Sequence, residues 1–332
     1  MDNITFQAMV VSQEDGSFVR RIETRDISSL PQGDVLIRVG YSSLNWKDCL
    51  SAMGNRGVTR HYPHTPGIDA AGMVAESKAE AFRKGDKVVV TGYDLGMNTS
   101  GGFAEYIRVP AEWVVPLPEG LTRKEAMMFG TAGFTAGLSV KRLLDHGVTP
   151  DSGTIFVTGA TGGVGSVAGG ILKKLGFTVA AMGGRKDKFD YLMGIGADRV
   201  LGLDDAVDTS GKALGKKLWA GVVDTVGGDV LETAIKNSDN RGVVTCCGNL
   251  RSEGIESSIY PFILRGVTLC GIDSATCPMD ERKEVWTRLA GPWKPEGLES
   301  MTETLSGLEA LEAQVARMVD GERTGRSIVH LP

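Results

Sequence analysis

The chain is poor in the features that mark most specialised protein classes. Only five of its 332 residues are cysteines (Cys49, Cys246, Cys247, Cys270 and Cys277), an odd number without regular spacing. That excludes a disulfide framework and points to reduced thiols and a cytoplasmic setting. Basic residues are outnumbered, 36 Lys and Arg against 41 Asp and Glu, for a net charge of −5. No global field therefore draws the protein to nucleic acid or to an anionic membrane, and none is expected as a partner. The opening residues, MDNITFQAMVVSQEDG, lack a basic segment followed by an apolar run, so no secretory leader is expected. One stretch, residues 152–172, carries no charge over 21 residues. Seven glycines and several hydroxyl side chains within it fit a buried strand, turn and helix better than a membrane span.

What is present is ordinary globular material, 42% hydrophobic and 23% charged, long enough for about two domains. Glycine is the exception, with 45 residues, about twice its usual ~7% share, and no G-X-Y period accompanies it. The first 120 residues read as β-rich, with β-branched runs at 8–11, 34–41 and 87–91 and prolines marking loops. Apolar residues at helical spacing over 124–144 mark the seam between domains. Beyond it strands alternate with helices. The pattern predicts strands at 154–158, 178–182, 199–201, 221–225, 242–246 and 268–272, and helices at 163–175, 188–193, 211–218 and 228–236. A final helix is expected at 308–318 and a strand at 327–331. Such repeated βα units imply a doubly wound parallel sheet with right-handed crossovers.

The strongest motif is GTIFVTGATGGVGS, Gly153–Ser166. An apolar strand enters Gly159, Ala160, Thr161, Gly162, Gly163, Val164 and Gly165, and an amphipathic helix follows. Glycines there let the backbone turn tightly beneath a pyrophosphate, which rests on the N–H groups of the helix N-terminus. A turn that only packs helix against strand would show the same glycines. Twenty residues beyond Gly165, where a site for NAD carries an acidic residue, stands Arg185, in MGGRKDK after Gly184. A guanidinium matches a 2′-phosphate where a carboxylate would repel it, so NADPH is the expected cofactor, assisted by Lys186 or Lys188. The alternative is that Arg185 merely opens the next helix.

With these motifs read, the chain resembles the medium-chain dehydrogenase/reductase superfamily in its zinc-free, quinone-oxidoreductase-like branch, and within that branch the acrylyl-CoA reductases. The strings that carry the resemblance run nearly the full length: YSSLNWKD (41–48), PGIDAAG (66–72), GTAGFTAG (130–137), the phosphate-loop motif, WAGVVDTVGG (219–228), PFILRGV (261–267) and GRSIVHL (325–331). The resemblance implies a β-rich GroES-like substrate domain over 1–125 and 277–332, a Rossmann domain over 126–276, an active site in the cleft between them, and a homodimer. It also implies cofactor contacts at Tyr41, Trp46, Thr135, Arg199, Asn249, Ile263 and Ser274.

Zinc-dependent members of the superfamily use Cys, His and Cys or acidic ligands for catalysis and a four-cysteine lobe for structure. Here Asn45 falls where the first ligand would stand and Ile68, followed by Asp69, where the histidine would. No cysteine occurs between Cys49 and Cys246, so no metal is expected. His61 and His64, three residues apart, lack further ligands nearby and read as a solvated loop that also offers Arg56 and Arg60 to a CoA phosphate. Without a Lewis acid, reduction of a double bond conjugated to a carbonyl is easier than oxidation of an unactivated alcohol. The resemblance implies Asn45, Asp48 and Arg326 as the candidate catalytic residues, and if they meet, Asp48 is expected to be ionised beside Arg326 with Asn45 a neutral donor near the developing enolate. For Asn45 and Asp48 the alternative is a capped turn with an Asp48–Lys47 surface pair. For Arg326 it is a surface edge-strand charge. Three functions fit: an NADPH-dependent acrylyl-CoA reductase, an NADPH:quinone or general enone reductase, and a nucleotide-binding protein without catalysis.

Overall fold

The computed structural model describes residues 4–332; residues 1–3 of the opening segment read above as free of a leader lie outside the described residues. The chain divides into two compact units, one made of residues up to 131 with 275–287 and 302–332, the other of 132–274 with 288–301.

The first unit opens with β1 (Thr5–Glu14) and β2 (Ser17–Asp26), an antiparallel hairpin. Its two turn residues, Asp15 and Gly16, both take positive φ, 48° and 83°, the twist that suits two paired strands. Then come β3 (Val35–Leu44), β4 (Asp69–Ser77), β5 (Lys87–Thr91), β6 (Tyr106–Val109) and β7 (Val115–Pro116). Helix α1 (Trp46–Ala52) follows β3, and α2 (Arg123–Asp145) carries the chain out of the unit. Val35, Ile37, Val39, Leu44, Phe103 and Val329 lie in its core.

The second unit holds β8 (Ile155–Val157), β9 (Val179–Met182), β10 (Arg199–Leu201), β11 (Trp219–Asp224), β12 (Ser238–Cys246) and β13 (Thr268–Gly271). Its helices are α3 (Gly163–Lys174), α4 (Phe189–Gly194), α5 (Leu203–Ala206), α6 (Gly228–Lys236) and α7 (Tyr260–Arg265). All six strands are parallel, in the order β10-β9-β8-β11-β12-β13. β8 and β9 are buried at every residue, as a sheet covered on both faces requires. The chain runs outward from β8 in one direction and from β11 in the other, so strand order reverses between those two, the place where such sheets bind ligands. The uncharged stretch 152–172 becomes β8, a turn and most of α3, and no helix among the described residues is long and apolar enough to cross a membrane.

The last segment supplies α8 (Met279–Ala290), β14 (Thr302–Ser306), α9 (Glu309–Val319) and β15 (Arg326–His330). β15 pairs antiparallel with β3, with Ser327 opposite Leu44, and completes a seven-stranded sheet in the first unit. One expected helix is absent. Residues 211–218 form no helix: Gly211 sits at φ +69°, the segment's lysines face solvent, and Ala213 and Leu214 are only half-buried. Without an apolar stripe to bury, nothing offsets the entropy of ordering a short helix there.

Candidate functional site

Three ionisable side chains, two acids and one arginine, lie buried together where β3, β4 and β15 meet. The chain leaves β3 at Leu44 and enters α1 at Trp46, so Asn45 is the N-cap, with extended backbone (φ −124°, ψ 162°). Asp48, three residues on, returns its carboxylate to the Asn45 N–H at 2.8 Å. Its other oxygen accepts from the N–H groups of Ile68 at 2.8 Å and Gly67 at 3.2 Å. The turn is therefore capped, but Asp48 is fully buried and makes no surface pair with Lys47.

Asp69, the first residue of β4, is equally buried. Its carboxylate accepts from the Asn45 amide at 2.8 Å, from the Ser43 hydroxyl, and from both the N–H (2.8 Å) and the hydroxyl (2.5 Å) of Thr131. Thr131 is free to turn that way because α2 breaks at Gly130 (φ 53°, ψ −157°). Arg326, first residue of β15 and 1% exposed, is no surface charge. Nε donates to the Met128 carbonyl (3.1 Å), Nη1 to Asn45 Oδ1 (3.1 Å) and the Leu44 carbonyl (3.3 Å), and Nη2 to Ser43 Oγ (2.8 Å). Nη2 lies 3.9 Å from Asp69 Oδ2.

This geometry brings Asn45, Asp48 and Arg326 together but corrects the expected charge pairing. The carboxylate beside Arg326 is Asp69, and Asp48 is instead held by backbone N–H groups and Asn45. Burial, with the neighbouring Asp69 charge added, pushes Asp48 up to about 7 against the pull of those donors, so it is not locked in the ionised form at neutral pH. Burial also lowers the pKa of Arg326, opposed by Asp69 and Asp48. The Asn45 amide is spent inside the cluster, on Asp48, Asp69 and Arg326.

A pH dependence follows. An unfolded Asp48 loses its proton near 3.8, whereas the folded one keeps it to about 7. Between those values the folded state binds more protons, so its stability falls as pH rises and levels off above about 7. The shift corresponds to a fall of order 4 kcal/mol. Urea melts at pH 5 and 7 should show this slope in the wild type and a flatter one in Asp48→Asn; equal slopes would remove Asp48 as the titrating group.

Other candidates in this unit fall as follows. Tyr41 packs its ring on His330 (centroids 4.8 Å apart), and Trp46 is exposed at the start of α1. Cys49 is buried in the core of this unit, and burial pushes its thiol up to about 12. His61 is exposed, but His64 is not part of a solvated loop: it is buried, exchanges backbone hydrogen bonds with Val11, and burial lowers its pKa. The Arg56 guanidinium is held by the Arg60 carbonyl and Gln13 and lies over the Phe18 and Tyr62 rings.

In the second unit the Gly-rich turn follows β8. Gly159 (φ 55°) has no room for a side chain, since a Cβ would lie 2.2 Å from Thr225 Oγ1. A Cβ on Gly165 would lie 2.5 Å from the Gly159 carbonyl oxygen, so helix and turn approach as closely as backbone allows. Gly162 caps α3, whose first N–H groups have no acceptor inside the helix. Beneath the turn, Thr158 Oγ1 donates to buried Asp224 (2.7 Å), which also accepts from the Gly227 N–H (2.9 Å) and ties the ends of β8 and β11 together. These residues fit a dinucleotide pyrophosphate: glycines clear its approach, and the backbone of Thr161, Gly162, Gly163, Val164 and Gly165 would line it. Gly184 and Arg185 follow β9, Arg199 opens β10 exposed, and Asn249 lies exposed beyond β12. Ile263 is 64% exposed on α7, Ser274 follows β13, and Thr135 is buried in α2.

Residues 31–119 match the alcohol dehydrogenase GroES-like domain and residues 163–291 the zinc-binding dehydrogenase family. The acrylyl-CoA reductase AcuI of Ruegeria pomeroyi is 42% identical over 98% of both chains. YhfP of Bacillus subtilis, named as a candidate quinone oxidoreductase, is 42% identical over 98% of this chain and 99% of its own. The chain belongs to the quinone-oxidoreductase-like branch of the medium-chain dehydrogenase/reductase superfamily. Two solved members of that branch agree in structure. Escherichia coli YhdH with bound NADPH superposes at a TM-score of 0.94 (40% identity, 98% and 100% of the two chains), and YhfP with NAD bound at 0.96 (42% identity, 99% and 100%). The zinc of the wider family does not suit this site. Asn45 and Ile68 offer no zinc donor, and both carboxylates are committed to N–H, hydroxyl and guanidinium groups. Among the described residues no group of three or more His, Cys, Asp or Glu could hold a metal ion.

Sequence reading passed over Asp69, Ser43, Thr131 and Gly130 as site residues. One signal was available: Asp69 interrupts an apolar stretch at the start of a strand, PGIDAAG, where a carboxylate needs a buried partner.

Proposed function

We propose that the protein reduces the conjugated double bond of an acyl-CoA thioester, acrylyl-CoA to propionyl-CoA, with NADPH. The observation that carries this reading is the full-length 42% identity to the R. pomeroyi acrylyl-CoA reductase. Bound NADPH supplies the hydride. The turn after β8 and the N-terminus of α3 take its pyrophosphate, and Arg185 takes its 2′-phosphate, supported by Lys186 or Lys188. NADPH in the related YhdH structure supports the cofactor. Thr135, Arg199, Asn249, Ile263 and Ser274 are the further cofactor contacts, and Tyr41 and Trp46 wall the nicotinamide or the substrate. Asn45, Asp48 and Arg326 act with Asp69 as positioning residues, since their polar atoms bind one another. The protein works in the cytoplasm as a homodimer, in line with its five free thiols and with exposed Ile259, Ile263 and Leu264 beside the edge strand β13.

A second reading, NADPH:quinone reduction, is favoured by the equal identity to YhfP. Oxidation of NADPH measured with acrylyl-CoA, crotonyl-CoA and a benzoquinone separates them. The proposal expects the highest kcat/KM on acrylyl-CoA, and turnover of the quinone alone would replace it with the second reading. Arg185→Ala should weaken NADPH about 10- to 150-fold, the loss of one charge-assisted hydrogen-bonded contact. NADH should be nearly unaffected, and equal use of both cofactors by the wild type would end the NADPH assignment.

A further inference from the structure

The string that follows β9, Gly184-Arg185-Lys186-Asp187-Lys188, places an acid among three bases. Its backbone makes one 3₁₀ turn over Lys186–Lys188, and that turn folds Asp187 back onto Arg185. The pair is bidentate: Arg185 Nε donates to Asp187 Oδ1 at 3.0 Å and Nη2 to Oδ2 at 2.9 Å. Lys188 Nζ approaches the same carboxylate at 3.6 Å. Two of the cations offered to a 2′-phosphate thus share one internal anion. Arg185 and Asp187 are exposed, 55% and 52%, and Lys188 is half-buried at 31%, so a ligand can reach the Arg185–Asp187 pair.

A phosphate monoester and a carboxylate make the same demand of a guanidinium, two oxygens spaced for a pair of parallel N–H donors. The edge formed by Nε and Nη2 satisfies only one of them. A 2′-phosphate, carrying nearly two negative charges at neutral pH, must displace Asp187 from that edge or sit beside it and be repelled. NADH has no such group and binds without disturbing the pair.

We propose that Asp187 sets cofactor selectivity by competing with the 2′-phosphate of NADPH for Arg185 and Lys188. The proposal rests on the reading of Arg185 as the 2′-phosphate contact. Asp187 lowers the preference for NADPH over NADH without changing the affinity for NADH, and does so more strongly at low salt, where the exposed charges are least screened.

The test is binding of NADPH, NADH and 2′-AMP to the full-length protein by calorimetry or fluorescence, for the wild type, Asp187→Asn, Arg185→Ala and the double variant. Asp187→Asn should tighten NADPH and 2′-AMP about 5- to 30-fold and move NADH by less than twofold, with the gain shrinking as salt rises. In the Arg185→Ala background the second substitution should change little, because the competition has lost its object. Unchanged or weakened NADPH binding by Asp187→Asn, with Arg185→Ala still weakening it, overturns the competition and makes Asp187 a group that orients Arg185. If Arg185→Ala leaves NADPH and 2′-AMP binding intact, the 2′-phosphate assignment itself is wrong and the competition goes with it.

Discussion

Arg326→Ala is expected to lower stability by ~3–5 kcal/mol, the cost of removing one partner from a buried ion pair, and so to lower Tm by of order 10 °C. The residue is 1% exposed and its three nitrogens serve the Met128 and Leu44 carbonyls, Asn45 and Ser43. Alanine would leave the buried Asp69 carboxyl without the guanidinium 3.9 Å away. Lysine keeps the charge but not the fork, and should recover only part of the loss. Removing both charges, Arg326→Met with Asp69→Asn, should be milder than the sum of the single changes. At a temperature where the variant is folded, kcat/KM should fall by tens to thousands of fold, the range for losing a group that positions or stabilises charge. NADPH affinity should move much less. Calorimetric melts with steady-state kinetics check this, and a variant that melts and turns over like the wild type would remove Arg326 from the site.

Gly130→Ala should be comparably severe for a different reason. At φ 53° and ψ −157° the backbone is in a region that only glycine occupies cheaply, worth about 1–3 kcal/mol by itself. The missing Cβ would also lie 2.4 Å from Ser43 Oγ, 2.5 Å from Asp69 Oδ2 and 2.7 Å from Arg326 Nη2. The cluster has no flexible end to yield, so strain and broken hydrogen bonds add, for an expected loss of about 3 kcal/mol or more. Gly169→Ala is the control: it lies in α3 with nothing within 4 Å of its Cβ, and should gain roughly 0.5–1 kcal/mol. Equilibrium unfolding of both variants decides it. If Gly130→Ala is as stable as Gly169→Ala, the break in α2 is incidental.

Local chemistry announced a good part of this molecule. The Gly-rich turn, the apolar strands before and after it and the helix at Gly163 depend on contacts within a few residues or on repeats of one pattern, so short windows of sequence carry them. Residues 211–218 misled because helical spacing without a buried face is not enough to make a helix, and exposure is a property of the whole fold. β2 escaped notice because its strand SFVRRIETRD is charged, and only pairing with β1 across Asp15-Gly16 makes it a strand.

For the site, sequence by itself determined the inventory: an asparagine and an isoleucine where zinc ligands would stand, a phosphate turn, and an arginine in place of the acid that selects NAD. Tertiary structure alone decided the pairing of charges. Asp48 and Arg326 are 278 positions apart in the numbering and Asp69 lies between them, so which carboxylate meets the guanidinium depends on the register of β15 against β3 and on the break at Gly130. Burial then set the protonation of Asp48, because the cost of a charge depends on the water that the rest of the fold excludes. Neither register nor dehydration is written in any short run of residues, and both follow only when distant strands close over the same few atoms.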